Sequence, residues 1–288
     1  MKTNKISSYL LIAPAAIFLI VFLVYPMCYT VFLSFFKYSY FTPKVFVGLS
    51  NYQKLFGQIT FQNSLSYTLR FTLTCISLEF ILGLSFALLL RNIKKGGTLM
   101  RTVSIFPYMI APIATGQMWR LLFQLDYGII NQFLNLFSIK PVNWLASNTA
   151  AFWSTVIAQV WKSTPFVMLI LLAGLQSISE DYYEAARIDG ASRIQIFRKI
   201  TLPLLIPSAT IALVFETIFK LRVFDLIITL TGGGPGKTTT PLGVMLQQNY
   251  FKTYEAGYAS TISVVLLLIG AAFSWVYIIL LNRKGKED

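Results

Sequence analysis

Five ionisable side chains stand inside long apolar stretches of this sequence: Glu79, Arg120, Lys162, Glu216 and Lys220. An ion in such surroundings is costly, so it pairs, lines a hydrated path or binds a solute. Glu216 and Lys220 are four positions apart with the acid first, a spacing that lets them neutralise each other on one helix face. Lys162 lies mid-stretch among Gln159, Ser163 and Phe166. Set opposite Glu216 and Lys220, that group would instead surround a polar cavity. Glu79 shares a stripe with Thr72, Cys75 and Gly83, which turns it toward other helices for hydrogen bonding. Arg120, near the end of its stretch, snorkels to the surface or pairs with Asp126.

Other chemistry lacks its residues. There is no histidine, which removes Ser/His and Cys/His dyads and histidine-based metal sites. Cys28 and Cys75 both lie in apolar stretches and read as small buried hydrophobes. No catalytic, metal or cofactor site is expected on this chain. Thr231–Thr238 (TGGGPGKT) imitates a phosphate-binding loop, but Thr231 occupies its first glycine position and Pro235 removes a backbone donor. It reads as a tight turn, so the chain is not expected to be an enzyme hydrolysing ATP.

The elements that must position these residues follow from composition. Of 288 residues 56% are hydrophobic and 12% charged, with mean hydropathy +0.65. Soluble domains carry about 25% charged residues, so lipid must cover part of this surface. Six stretches approach the roughly 20 apolar residues a membrane crossing needs. They run over 9–36, 71–90, 102–123, 150–176, 202–221 and 259–281. The first exceeds the apolar core of about 7–15 residues in a secretory signal and reads as a retained span. Val223–Leu230 is too short to cross and reads as an extension or an interfacial piece.

With six spans both termini share a side, and 13 of the 24 basic residues fall there in short loops. That bias places both termini in the cytoplasm. The net charge of +13 is thus an orientation signal, and nucleic acid is not an expected partner. Without a repeat or a composition shift, residues 1–288 read as a single transmembrane domain. Its outer segments are 36–70 and 222–258, and a cytoplasmic loop covers 177–201.

That loop is built for rigidity. Ser179 can cap a helix whose first turn holds Glu180 and Asp181, and Gly190 can end it in a left-handed turn. Ser192 can start a second helix, and Pro203 suits the first turn of the next span. Glu184-Ala185-Ala186 is followed after three residues by Gly190, after nine more by Ile200, and after one more by Leu202-Pro203. This pattern resembles the EAA loop of binding-protein-dependent ABC importer permeases. Phe106-Pro107-Tyr108, Trp119-Arg120, Asp126-Tyr127-Gly128, Trp161, Pro165, Val223-Phe224-Asp225 and Thr231–Pro235 are similar to the carbohydrate branch. The likeness is to the first of the two paired permeases in maltose-type and glycerol-phosphate-type systems.

The resemblance implies an all-α membrane protein of six helices, with the type I ABC importer permease fold, in a bacterial-type plasma (inner) membrane. It implies that Glu184, Ala185, Ala186, Asp189 and Gly190 form a coupling helix, supported by Ile200, Leu202 and Pro203. That helix would dock on a separate cytoplasmic ATPase, present in two copies, which holds the ATP and magnesium. A second homologous permease would complete the pore. An extracytoplasmic sugar-binding protein would dock on 36–70 and 222–258. Maltose-type members bind sugar at places matching Gln159, Lys162, Ser163, Phe166, Glu216 and Lys220, with neutral polar or aromatic residues. Three charges here point instead to an acidic or heavily hydroxylated glycan. The alternatives are an ABC permease for amino acids or peptides, and a secondary transporter, which would need internal inverted repeats.

Overall fold

The computed structural model describes residues 5–91, 93 and 96–284. Lys2, Lys94, Lys95 and Lys286, counted toward the terminal side, lie outside them. Apart from one hairpin, the regular structure of the described residues is helical. Helices α1 (Lys5–Leu19) and α2 (Tyr25–Leu33) make the first span, joined by a π-turn at Ile20–Val24. Pro26 cannot donate to the preceding turn, and the widened turn absorbs the loss. Most of Ile12–Leu33 is exposed, with Phe22 at 67% and Tyr25 at 64%. A helix apolar on every face requires hydrocarbon around it.

The hairpin pairs β1 (Phe36–Ser39) with β2 (Thr42–Phe46), and α3 (Ser50–Gly57) follows. Helix α4 (Ile59–Arg91) begins well before the start expected at 71. Its polar early turns lowered the local hydropathy, yet Ser64 and Thr68 are buried, and Thr68 Oγ1 accepts a hydrogen bond from Leu242 N at 2.9 Å.

The third expected span is a correction. It is two helices, α5 (Gly97–Met109) and α6 (Pro112–Leu122). Ile110 and Ala111 are extended, at ψ 133° and 139°. The Pro112 ring disfavours helical geometry at Ala111, and its missing N–H leaves the preceding turn without a donor. Hydropathy registers neither effect, so the stretch read as continuous. Among the described residues five segments are long and apolar enough to cross alone: Ile12–Leu33, Ile59–Arg91, Asn148–Ser177, Arg193–Leu221 and Ala256–Ile279.

Beyond α7 (Ile129–Leu136), Ser147 caps α8 (Asn148–Ser177) by accepting from Ala150 N at 3.2 Å. Helices α9 (Glu180–Ile188) and α10 (Arg193–Ile196) form the charged loop, and a π-turn at Phe197–Thr201 leads into α11 (Leu202–Leu221). Helices α12 (Asp225–Leu230), α13 (Leu242–Phe251) and α14 (Ala256–Lys284) complete the chain.

Contacts divide the chain into two compact units, a division that composition does not signal. One joins the residues up to 61 with 245–267. Asn51 Nδ2 donates to Ser34 O and Phe36 O, both at 2.9 Å, which fixes α3 under the hairpin. Tyr40 donates its hydroxyl to Tyr250 at 2.5 Å, and this bond holds its phenol up to about 12. The other unit covers 62–244 and the residues from 268. Its core has two apolar clusters, one around Leu171, Leu175, Tyr183 and Leu205, the other around Tyr67, Phe71, Cys75, Leu226 and Ile227. Helix α8 supplies residues to both, Met168 and Leu172 to the first, Val156 and Ala158 to the second. The α4 backbone rests directly on α8: a Cβ at Gly83 would lie 2.9 Å from Val167 Cγ1 and 3.1 Å from Met168 N.

Candidate functional site

The break in the third span leaves carbonyls at the end of α5 without helical partners, and Lys162 reaches them from the middle of α8. Its Nζ donates to Ile110 O at 2.5 Å and to Tyr108 O at 3.1 Å, and stands 5.5 Å from the Tyr108 ring centroid. A cation at a helix C-terminus meets both the partial negative charge there and the orphan acceptors. An ammonium carries three donors, so two are spent on the backbone. Lys162 therefore serves the protein's own architecture first.

A cavity of about 480 Å³ opens at this point, within the range of small-molecule sites. Its wall takes Tyr108 to Pro112 from the break, Gln159, Lys162 and Ser163 from α8, Phe219 from α11, and the segment from Arg222 to Leu226. Gln159 Nε2 donates to Ser163 Oγ at 2.8 Å. Phe166 is not on the wall. It stacks on Tyr108 at 5.2 Å and packs edge-on against Phe219 at 6.2 Å, so it backs two rings that are. The cavity thus combines amide, hydroxyl, ammonium, guanidinium and carboxylate groups with three aromatic side chains, Tyr108, Phe219 and Phe224.

Glu216 and Lys220 do not line this cavity, which corrects the reading that set them opposite Lys162; they form the pair their spacing allows. Lys220 Nζ is fully buried, 3.0 Å from Glu79 Oε2, and also paired with Glu216 Oε2 on its own helix. Glu79 and Glu216 are 0% and 1% exposed. Glu79 Oε1 and Glu216 Oε1 have no hydrogen-bond partner among the described residues. This is a sealed cluster of two carboxylates and one ammonium. Spacing gave the Glu216–Lys220 pair, but the third member sits on α4, far away in sequence. Arg120 is exposed and makes no ion pair with Asp126 among the described residues.

Tyr108, Phe219, Arg222 and Asp225 complete the wall and were not singled out from sequence as solute contacts. The available signal was Pro112, which forces the break and turns Tyr108 toward Lys162.

The charged loop has the caps its residues imply. Ser179 Oγ accepts from Asp181 N at 3.3 Å, and Ser192 with Gln195 forms a reciprocal capping box. Gly190 has φ +75°, and Ala191 N donates to Ala186 O at 2.9 Å, closing the end of α9. Glu184, Ala185, Asp189 and Gly190 are exposed, while Ala186 is half-buried. Ile200 packs on the first core cluster, Pro203 is half-buried and Leu202 is 37% exposed. On the same helix Ile188 stands 86% and Tyr182 57% exposed.

Thr231–Thr238 is preceded by a helix, not by a strand. Thr231 Oγ1 meets Thr239 Oγ1 at 2.8 Å and accepts from Gly233 N at 3.1 Å, so the turn closes on its own hydroxyls.

Residues 79–286 match the family model described as binding-protein-dependent transport system inner membrane component. The trehalose/maltose transport system permease protein MalF of Thermococcus litoralis is 43% identical, over 94% of this chain and 92% of that one. The sulfoquinovosyl glycerol transport system permease protein SmoG of Agrobacterium fabrum is 35% identical, over 98% and 92%. Among solved structures, a chain of a bacterial alginate ABC transporter, in complex with an alginate pentasaccharide-bound periplasmic protein, superposes with TM-score 0.83. It is 20% identical over 98% of this chain and 96% of that one. The fold is therefore that of a type I ABC importer permease, with the third span broken. The chain is a multi-pass inner-membrane protein of the binding-protein-dependent transport system inner membrane component family.

Proposed function

We propose that this chain is a permease subunit of an ATP-driven importer for an oligosaccharide or sugar derivative, working by alternating access. The observation that carries the reading is the cavity at the broken third span. Sugars bind through many hydrogen bonds and an aromatic face. Gln159, Ser163 and the remaining Lys162 donor supply the first, and Tyr108, backed by Phe166, supplies the second. Lys162 and Arg222 against Asp225 leave the wall with net positive charge, which favours an acidic glycan. Glu216 and Lys220 act on this path from behind the wall through α11. The names of the relatives, which include trehalose/maltose and sulfoquinovosyl glycerol systems, support a sugar over an amino acid or peptide.

In this reading α9 is the coupling helix. Glu184, Ala185, Ala186, Asp189 and Gly190 present it, with the exposed Tyr182 and Ile188, to a cleft in a cytoplasmic ATPase. Ile200, Leu202 and Pro203 fix its attachment to α11. ATP and magnesium belong to that partner, present in two copies, and none of this chain's residues holds a cofactor. A second homologous permease completes the pore, a sugar-binding protein docks on 36–70 and 222–258, and both termini are cytoplasmic. Reconstituted with these partners, the chain should import glycan only with ATP and the binding protein. Uronate-containing oligosaccharides should compete better than neutral ones, with the preference shrinking in Arg222→Gln. ATP-independent uptake, or indifference to every glycan, would refute the proposal.

A further inference from the structure

A push on α9 must reach a cavity wall made partly by α11. The chain itself connects them poorly. It passes the left-handed turn at Gly190 and then the π-turn at Phe197–Thr201, two soft joints in series. A stiffer route runs through side chains.

Arg91 ends α4. Its Nη2 lies 3.4 Å from Glu180 Oε2, and its guanidinium sits 4.3 Å from the centroid of the buried Tyr183 ring. Glu180 Oε1 takes Arg187 Nη2 at 2.8 Å. Glu180 opens α9 and Arg187 lies in its last turn, so one carboxylate braces the helix end to end and ties it to α4. Tyr183 in turn has its hydroxyl 3.3 Å from Thr201 Oγ1.

Twelve residues back along α4, about 18 Å of helix, Glu79 meets Lys220 of α11. Lys220 is next to Phe219 and two residues before Arg222, both on the cavity wall. A fully buried ion pair resists separation, because parting it would leave charges unpaired in a low-dielectric interior. Motion of α4 therefore carries α11 with it. Between the two ionic ends, Gly83 has no side chain of its own to hold the rod away from Val167 and Met168 of α8.

We propose that α4 relays coupling-helix movement to the cavity, with Arg91 as the positioning residue at one end and the Glu79–Lys220 pair at the other. The inference rests on the reading of α9 as the ATPase-docking helix. Coupling along such a route is established by the response of both ends, not by proximity.

The experiment uses the complete transporter in proteoliposomes and reads glycan imported per ATP hydrolysed, with nucleotide trapping by vanadate as the check on assembly. In Arg91→Ala the ratio should fall about tenfold, within the usual range of coupling between sites, while trapping persists. Arg91→Lys, which keeps the charge but loses the flat stack on Tyr183, should fall between. Glu79→Gln should lower the ratio similarly, and Arg91→Ala with Glu79→Gln together should be no worse than either alone. An unchanged ratio in Arg91→Ala, or losses that multiply in the double variant, overturns the relay while leaving the importer reading intact. Uptake by the unsubstituted chain that ignores ATP overturns both.

Discussion

Replacing Lys220 by methionine should damage this protein far more than replacing either acid that touches it. Lys220 is the single cation of a sealed cluster with Glu79 at 3.0 Å and Glu216 on the adjacent turn, all three buried. The cluster has two formal negative charges and one positive. Lys220→Met leaves two carboxylates facing each other without a counter-ion. Removing one partner of a buried pair costs about 3–5 kcal/mol, and mutual repulsion adds to it. Glu79→Gln keeps the shape, loses a charge-assisted bond of about 1.5–3 kcal/mol, and leaves a balanced Lys220–Glu216 pair. The relief of excess charge offsets part of that loss, for a net cost of about 1–2 kcal/mol. The assay is reversible unfolding of the purified chain in mixed micelles, followed by tryptophan fluorescence. The triple variant Lys220→Met, Glu79→Gln, Glu216→Gln should recover most of what Lys220→Met loses, since it strands no charge. Equal damage from Glu79→Gln and Lys220→Met, or a triple variant no better than Lys220→Met, would refute the charge accounting.

Three further outcomes follow from the geometry. Lys162→Met frees two carbonyls at the break, giving up hydrogen bonds worth about 1.5–3 kcal/mol each, and should raise the KM for uptake at least several-fold. Gly190 has φ +75° with nothing within 4 Å of an added Cβ, so conformation alone is at stake; Gly190→Asn should keep more ATP-coupled uptake than Gly190→Val, because asparagine tolerates the left-handed region. Gly83→Val places methyl groups where Val167 Cγ1 would already lie 2.9 Å from the Cβ, and should lower thermal stability by about 1–3 kcal/mol of overpacking.

The membrane architecture is legible because burial in lipid demands apolar residues on every face, and that demand is local. Caps are local too, so Ser179, Gly190 and Ser192 announce the ends of α9 and the start of α10. Hydropathy fails where geometry or partners decide. The start of α4 is hidden by polar residues that turn out to be buried, such as Ser64 and Thr68. The break at Ile110 comes from the Pro112 ring, which counts for nothing on a hydropathy scale. At the site, spacing supplies the Glu216–Lys220 pair but cannot show that Glu79 closes it off from the cavity. Nor does an isolated lysine in an apolar run reveal that its partners are backbone carbonyls. Those carbonyls are exposed only once the third span has broken.

If solute passes through the cavity at this break, a cysteine on its wall must change its accessibility with the transport cycle. In a Cys28→Ser background that keeps the buried Cys75, Ser163→Cys is labelled with a membrane-impermeant thiol reagent in the assembled transporter. Ser163→Cys should react from one side of the membrane without nucleotide and from the other after vanadate trapping, and transported glycan should protect it. Cys75, one turn from Glu79 and fully buried, should stay unreactive in both states. Labelling at 75 with none at 163, or labelling at 163 that neither nucleotide nor glycan alters, would show that solute takes another route.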